Sequence, residues 1–374
     1  MGVPGLFGWV SRKFKKAIEK PPWNPEFRPT TSKKFHSSSR KKQHRSKSDA
    51  EADDEATDVG ETKEPPSSNH LQPNLLDDRD PFEFDNLYLD LNGTIHPSVR
   101  RCVQNGELDF DAFFIKFCNE IRETVRRVNP LKVLFLAVDG VAPRAKMAQQ
   151  RKRRFVKGQE SKEDTEVAIR LIGELRSRGL ATPSPASVSK SFDTNVISPG
   201  TSFMIRVAAQ MHVWAKQCIA DNTDGIWGRL CVIVSDGTVP GEGEHKALKF
   251  IRSQRTTPGY DPNTRHCIEG LDADMMLLAL ATHELHVSVL RPEHTDYKAH
   301  EALLVRVDTI RRYMEHEFNS SLRKKLSFPF DLERCIDDFI LCCSLVGNDF
   351  LPRKKKTTPR LHERCSWCFF LNLF

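Results

Sequence analysis

Two carboxylates stand two residues apart, each flanked by glycine, in Val239-Pro240-Gly241-Glu242-Gly243-Glu244-His245-Lys246. Glycine tolerates cramped or left-handed backbone, so both acids can turn toward one point. Two unshielded carboxylates at one point repel unless a positive charge lies between them. A hard divalent cation such as Mg²⁺ suits that position, because it takes oxygen ligands. Alone, the stretch reads equally well as a solvated acidic turn. Recurrence decides between the two, because apolar runs ending in acid occur again and again. Asn86-Leu87-Tyr88-Leu89-Asp90 is one, and Val133-Leu134-Phe135-Leu136-Ala137-Val138-Asp139 is another. His266-Cys267-Ile268-Glu269-Gly270-Leu271-Asp272-Ala273-Asp274 is a third, and Leu345-Val346-Gly347-Asn348-Asp349 closes a helical stretch. Asp90, Asp139, Glu242, Glu244, Asp272, Asp274 and Asp349 in one place require metal, and more than one ion. That is the layout of two-metal phosphodiester hydrolysis.

Bringing those acids together is a task for a mostly parallel α/β sheet flanked by helices, whose sites lie at the carboxyl ends of the strands. Strands are expected at 86–90, 133–139, 230–234, 266–269, 285–290 and 303–307. Helical periodicity marks 5–20, 110–128, 143–155, 163–178, 201–221, 275–283, 308–318 and 331–345. In the helix at 163–178, Val167, Leu171, Ile172 and Leu175 are expected to be buried. In the helix after the Asp139 strand, Lys146, Gln150, Arg153 and Arg154 fall at three- and four-residue spacing and share a face. Cationic helix faces usually meet only solvent. This one springs from the end of a strand that carries a metal-binding acid, where Lys and Arg can bind phosphate.

The 374 residues allow one large domain or two small ones, and 39% hydrophobic content points to a substantial unfolded portion. A net charge of +7 despite the acid cluster favours a polyanionic partner. Ten scattered cysteines suit reduced thiols inside a cell. No apolar run approaches the roughly 18 residues of a membrane span, and the N-terminus has no signal-peptide core. Residues 21–81 change character: a basic, serine-rich block at 33–47 precedes an acidic one at 49–64. Opposite charge blocks with few apolar residues cannot bury enough surface to fold, so a disordered charged insertion is expected. The basic block reads as a nuclear-import signal, an RNA-binding arm or a plain solvated loop. There is no G-x-G-x-x-G after the first strand and no nucleophile elbow, which argues against a small-molecule α/β enzyme.

In this order the motifs resemble the Xrn family of 5′→3′ exoribonucleases. The resemblance is carried by Met1-Gly2-Val3-Pro4, Phe84 to Gly93, Ala137 to Met147 with Gln149-Gln150-Arg151, Pro240 to Lys246, Gly270 to Asp274, and Leu345 to Phe350. It spans roughly 1–20 and 82–352. It implies a PIN- or flap-endonuclease-like nuclease core, with seven acids holding Mg²⁺ or Mn²⁺, two ions in all. It further implies a basic pocket for a 5′-monophosphate, supplied by Lys146, Gln150, Arg153 and Arg154, and contact of His96 with the terminal nucleotides. The expected reaction converts single-stranded, 5′-monophosphorylated RNA to mononucleotides, in RNA turnover and processing such as mRNA decay. The nucleus is favoured over the cytoplasm as its location.

The chain departs from that pattern in two places. The 21–81 insertion is longer and more charged than the resemblance leads one to expect. After Leu351-Pro352 the expected continuation, with an aromatic that stacks on RNA, gives way to a basic and then apolar tail at 353–374. The expectation there is a truncated or mis-spliced product. Cys365, Cys368 and His362 offer three ligands without a fourth, so a disordered tail is favoured over a zinc site. Two alternatives follow: a catalytically impaired RNA-binding fragment, and a flap-type structure-specific endonuclease. No helix-hairpin-helix segment follows Asp274, which argues against the latter.

Overall fold

The computed structural model describes residues 6–21, 79–104, 107–182, 192–272, 274–292, 302–322 and 326–345. Of the 21–81 insertion, 22–78 lie outside the described residues, as do Asp349, the 353–374 tail and Met1 to Gly5. The strands are β1 (Ile18–Glu19), β2 (Asn86–Asp90), β3 (Val103–Gln104), β4 (Glu107–Leu108), β5 (Val133–Ala137), β6 (Cys231–Ser235), β7 (Arg265–Glu269), β8 (His286–Pro292) and β9 (Ala302–Arg306). The helices are α1 (Leu6–Lys13), α2 (Asn92–Cys102), α3 (Phe110–Val128), α4 (Arg144–Ser177), α5 (Ser202–Asp221), α6 (Gly243–Arg255), α7 (Met275–Leu280), α8 (Val307–Leu322) and α9 (Leu332–Leu345).

Seven strands form one sheet in the order β1-β9-β8-β7-β2-β5-β6, with β3 and β4 in a separate hairpin. From β8 to β6 every pairing is parallel, and β9 and β1 add antiparallel pairings at one edge. The central strands are continuous apolar runs, as in Leu87-Tyr88-Leu89 and Val133 to Ala137, because both faces of the sheet are covered. Tyr88, Phe135, Ile268 and Val289 point to a core shared with α1, α6, α7, α8 and α9. Leu87, Leu89, Leu134, Leu136 and Cys267 point to a core shared with α2, α3 and α5. The expected α/β architecture is therefore the one observed.

The chain runs from central β2 outward to β5 and β6, then crosses to β7 and β8 on the other side of β2. That reversal is a topological switch point, where crossover helices leave on opposite faces and a crevice opens at the strands' carboxyl ends. Register makes those ends flush. Asp90 lies opposite Ala137, Ala137 opposite Ser235, and Leu89 opposite Glu269. The acids that follow the strands are thus delivered to one level.

Helix boundaries follow local chemistry. Asp109 caps α3 by accepting from the amides of Asp111 and Ala112, each at 3.0 Å, and Asn129 ends it in a left-handed conformation (φ 52°). Thr201 caps α5 through the Met204 amide at 3.3 Å, and Asp331 caps α9 through Glu333 at 2.9 Å.

Two helical expectations need correction. The N-terminal helix does not continue to Lys20. It stops at Lys13, passes through a 3₁₀ turn at Lys15–Ala17, and becomes β1 against β9. Phe14 (1% exposed) is drawn into the core and dictates the turn. The helices expected at 143–155 and 163–178 are one continuous helix, α4, of 34 residues, about 51 Å long at 1.5 Å per residue. Its far half touches little: Ile172 is buried, whereas Val167 and Leu171 are each 52% exposed.

α9 is clamped to the body by charge. His283 shares hydrogen bonds with Glu333 at 2.6 Å and Asp337 at 3.0 Å, and Arg311 pairs with Glu333. The bond to Glu333 raises the His283 pKa against the effect of burial. Burial alone would raise Glu333, but its bonds from His283 and Arg311 bring it down to about 2. The histidine contribution is complete below its ordinary 6.5 and fades as pH rises through the folded value. The glutamate contribution is complete above its ordinary 4.5 and fades as pH falls toward 2. The clamp is therefore strongest between those ordinary values. Thermal melts of the Glu333→Gln variant should show a loss of up to ~1 kcal/mol for these part-exposed groups, largest near pH 5.5 and smaller on either side.

Candidate active site

The site is assembled around the start of α6. Glu242 takes the position before the helix and Glu244 its first turn, and both are buried. The amide of Gly243, between them, donates to Asp139 Oδ1 at 2.8 Å. The first amides of a helix point outward unpaired and carry partial positive charge, so a carboxylate is favoured there. Gly243 is required for a second reason: a Cβ would lie 2.6 Å from Asp90 Oδ1. Asp139 is held from its other side by Asn92, whose Nδ2 donates to Asp139 Oδ2 at 2.6 Å. Asn92 Oδ1 in turn accepts from the Asp139 amide at 3.2 Å.

The loops after β5 and β6 are laced together. Gly140 N–H donates to Gly241 O, and Gly241 N–H to Val141 O, each at 2.9 Å. A Cβ on Gly140 would sit 2.0 Å from the Val239 carbonyl oxygen, closer than any atom can come. Lys246 closes the seam from inside. Its ammonium, buried on α6, donates to Val138 O and Asp236 O at 2.7 Å each, one acceptor from each loop.

The carboxylates share too little water for all of them to stay charged. Burial and then the charges of Asp274, Asp90, Asp272 and Glu242 push Glu244 up to about 9. Burial, and next the Asp139 charge, raise Asp90 well above the ordinary carboxylate range. Burial likewise raises Asp139, against the bond from Gly243. Among the described residues Glu242 Oε2 is buried with no hydrogen-bond donor, His245 Nδ1 standing 3.6 Å away. Glu242, Glu244 and His245 bring one ligand atom each within 4.8 Å of one another, a geometry that can hold a metal ion. An oxygen-dominated donor set with surplus negative charge fits a hard divalent cation.

A cleft of about 570 Å³ opens over these acids. Asp90, Asp139, Glu242 and Asp272 line it, with Asn92, His96, Arg100, Arg101, Lys146, Gln150 and Arg153. Lys146 is not on a solvated stripe. It is buried, with its ammonium 3.4 Å from Glu242 Oε1, at the join between acid floor and cationic wall. Gln150 and Arg153 follow one and two turns along α4. Arg154, one residue or ~100° further round the helix, is exposed and does not line the cleft. Glu244 and Asp274 are not in the cleft lining, but Glu244 feels the charges of Asp274, Asp90 and Asp272. Sequence reasoning did not single out Asn92, His245, Lys246, Arg100 or Arg101. The first three lie inside the quoted motifs, but only the folded loops show what they hold.

Residues 1–293 match the family model described as XRN 5'-3' exonuclease N-terminus. The chain belongs to the Xrn family. Residues 329–363 match a second family model, the Xrn1 helical domain, so the likeness extends past Pro352. Among its relatives is a 5'-3' exoribonuclease 2 of Debaryomyces hansenii, 40% identical over 94% of this chain and 33% of that protein. The proteins of the same name from Candida albicans and Gallus gallus are 37% and 34% identical, each over 94% of this chain. The chain spans about a third of the length of these curated Xrn relatives, 33% to 37%. Among the described residues no helix is long and apolar enough to cross a membrane.

Two outcomes are expected. Because metal must displace protons from acids such as Glu244, titration with Mn²⁺ should release protons, and apparent affinity should rise from pH 6 to 9. Calorimetry in buffers of differing ionisation enthalpy reads both. Gly140→Ala should abolish metal binding or destabilise the chain by several kcal/mol, because backbone rather than a side chain blocks its Cβ. Gly158→Ala, with nothing within 4 Å, should be neutral or stabilising by up to about 1 kcal/mol in a thermal melt.

Proposed function

We propose that this chain is the catalytic part of a 5′→3′ exoribonuclease acting on single-stranded, 5′-monophosphorylated RNA. One observation carries the reading: an acid floor and a cationic helix wall meet in one cleft. An endonuclease needs the floor alone. A wall of Lys146, Gln150 and Arg153 beside it suits a terminal phosphate, and measuring cleavage from a chain end then yields mononucleotides. The family membership and the names of the relatives support the same activity.

Asp90, Asp139, Glu242, Glu244, Asp272 and Asp274 would hold Mg²⁺ or Mn²⁺, two ions in this reading, with Asp349 as a further ligand. Such ions supply activation of water and neutralise charge on the scissile phosphate. The chain's own residues do the positioning. Asn92 and the Gly243 amide orient Asp139, Lys246 holds the two acid-bearing loops in register, and His96 meets the terminal nucleotides. Attack of water on the scissile phosphorus breaks its bond to the 3′ oxygen of the first nucleotide. A nucleoside monophosphate leaves, and the shortened strand carries a new 5′-phosphate into the next cycle. The setting we infer is intracellular RNA turnover, with the basic block at 33–47 favouring the nucleus.

The test is a 3′-labelled RNA with a 5′-monophosphate, with and without Mg²⁺. Single nucleotides should leave from the 5′ end, and EDTA or Asp139→Ala should stop the release. Arg153→Ala should reduce the preference over 5′-hydroxyl RNA by at least roughly tenfold, as loss of a charged hydrogen bond does. Internal cuts indifferent to the 5′ end would favour the flap-type reading. Binding without any cleavage would leave an RNA-binding fragment.

A further inference from the structure

The cleft has a second cationic wall that recognition of the 5′ end leaves unused. α2 contributes Arg100 and Arg101 to its lining, beyond His96. His96 and Arg100 are four residues apart and share a helix face. Arg101 is fixed from behind: its Nη1 donates to Glu120 Oε1 at 2.7 Å, and Glu120 Oε2 accepts from Ser98 Oγ at 3.1 Å. The Arg101 side chain remains 40% exposed, so guanidinium donors are left over for the cleft. Arg100 is exposed and has no ion-pair partner among the described residues. A guanidinium held by a carboxylate on one side and open on the other is a pre-oriented phosphate fork.

Connectivity says which phosphate it would take. α2 begins at Asn92, directly after Asp90, and α4 begins at Arg144, after Asp139. The acids therefore lie at the roots of both helices. A strand with its terminal phosphate on α4 and its scissile phosphate over the acids has its next phosphate to place, and α2 supplies the remaining cations. We propose that Arg100 and Arg101 form a subsite for the phosphodiester immediately 3′ of the scissile one. The proposal rests on the exoribonuclease reading. It makes grip on the strand depend on a third phosphate, so that a 5′-phosphorylated dinucleotide (two phosphates) is held by one wall and a trinucleotide (three) by both.

The experiment is calorimetric titration of the chain, with Ca²⁺ in place of Mg²⁺ to limit cleavage, using 5′-phosphorylated di- and trinucleotides of RNA. For the trinucleotide, Arg100→Ala with Arg101→Ala should raise Kd roughly tenfold. The slope of log Kd against log salt should become shallower by about 0.7 for each phosphate the variant no longer neutralises. For the dinucleotide Kd should change less than twofold. Arg101→Lys should recover part of the loss, and Glu120→Gln, which frees Arg101 without removing it, should weaken the trinucleotide alone. Equal loss on both ligands, or no loss on the trinucleotide, overturns the subsite. If the unaltered chain binds both ligands but never releases a nucleotide in Mg²⁺, the catalytic reading fails while the subsite stands or falls on these binding constants.

Discussion

Everything in the site depends on one interaction: a helix amide meeting a buried carboxylate, Gly243 N–H to Asp139 at 2.8 Å. It sets the distance between α6 and the end of β5, and so between the acids of the Glu242 loop and those of the sheet. It survives only because several repulsive terms are offset together. The carboxylates repel one another, burial strips them of water, and a Cβ on Gly243 would strike Asp90. Against these stand the helix dipole, the reciprocal Asn92 pair and the Lys246 ammonium. Lys246 is the more economical of these, since one buried charge satisfies carbonyls from both loops. The arrangement stores negative charge in wait for cations, and the acids answer by holding protons.

At the other end of the same sheet lies a second polar chain. Tyr88, His266, Tyr260 and Glu284 are linked by hydrogen bonds of 3.0 to 3.1 Å. Burial lowers His266 to about 4, so the ring is neutral at physiological pH. Tyr88 lies two residues before Asp90 on β2, and its ring packs against Phe135 and Phe250. The strand that presents Asp90 is thereby anchored by aromatic packing and by a buried hydrogen-bond chain.

Much of this was legible in the sequence because two signals coincided. Apolar runs of strand length named β2, β5, β6 and β7, and an acid at the end of each named the level at which the site lies. Single-residue chemistry within a familiar motif was less legible. Nothing in the spacing of Asn92 says that it will span to Asp139, and Arg100 and Arg101 read as surface cations until α2 places them on a cleft. The continuity of α4 was hidden for an energetic reason. Gly158 and the polar run around it suggest a break, but one glycine costs a helix only about 1 kcal/mol. Half-exposed Val167 and Leu171 mimic a buried face, because periodicity records spacing and not whether anything lies opposite.

The flush register of the parallel strands has a consequence for how such a chain can change in length. Each strand acts as a ruler whose zero mark is its acid. Adding or deleting one residue within β2, β5 or β7 would rotate that strand's side chains to the opposite face and shift its acid along the sheet. Added chain between elements costs only slowly growing closure entropy. A residue added between elements, rather than within a strand, would therefore leave every ruler unmoved.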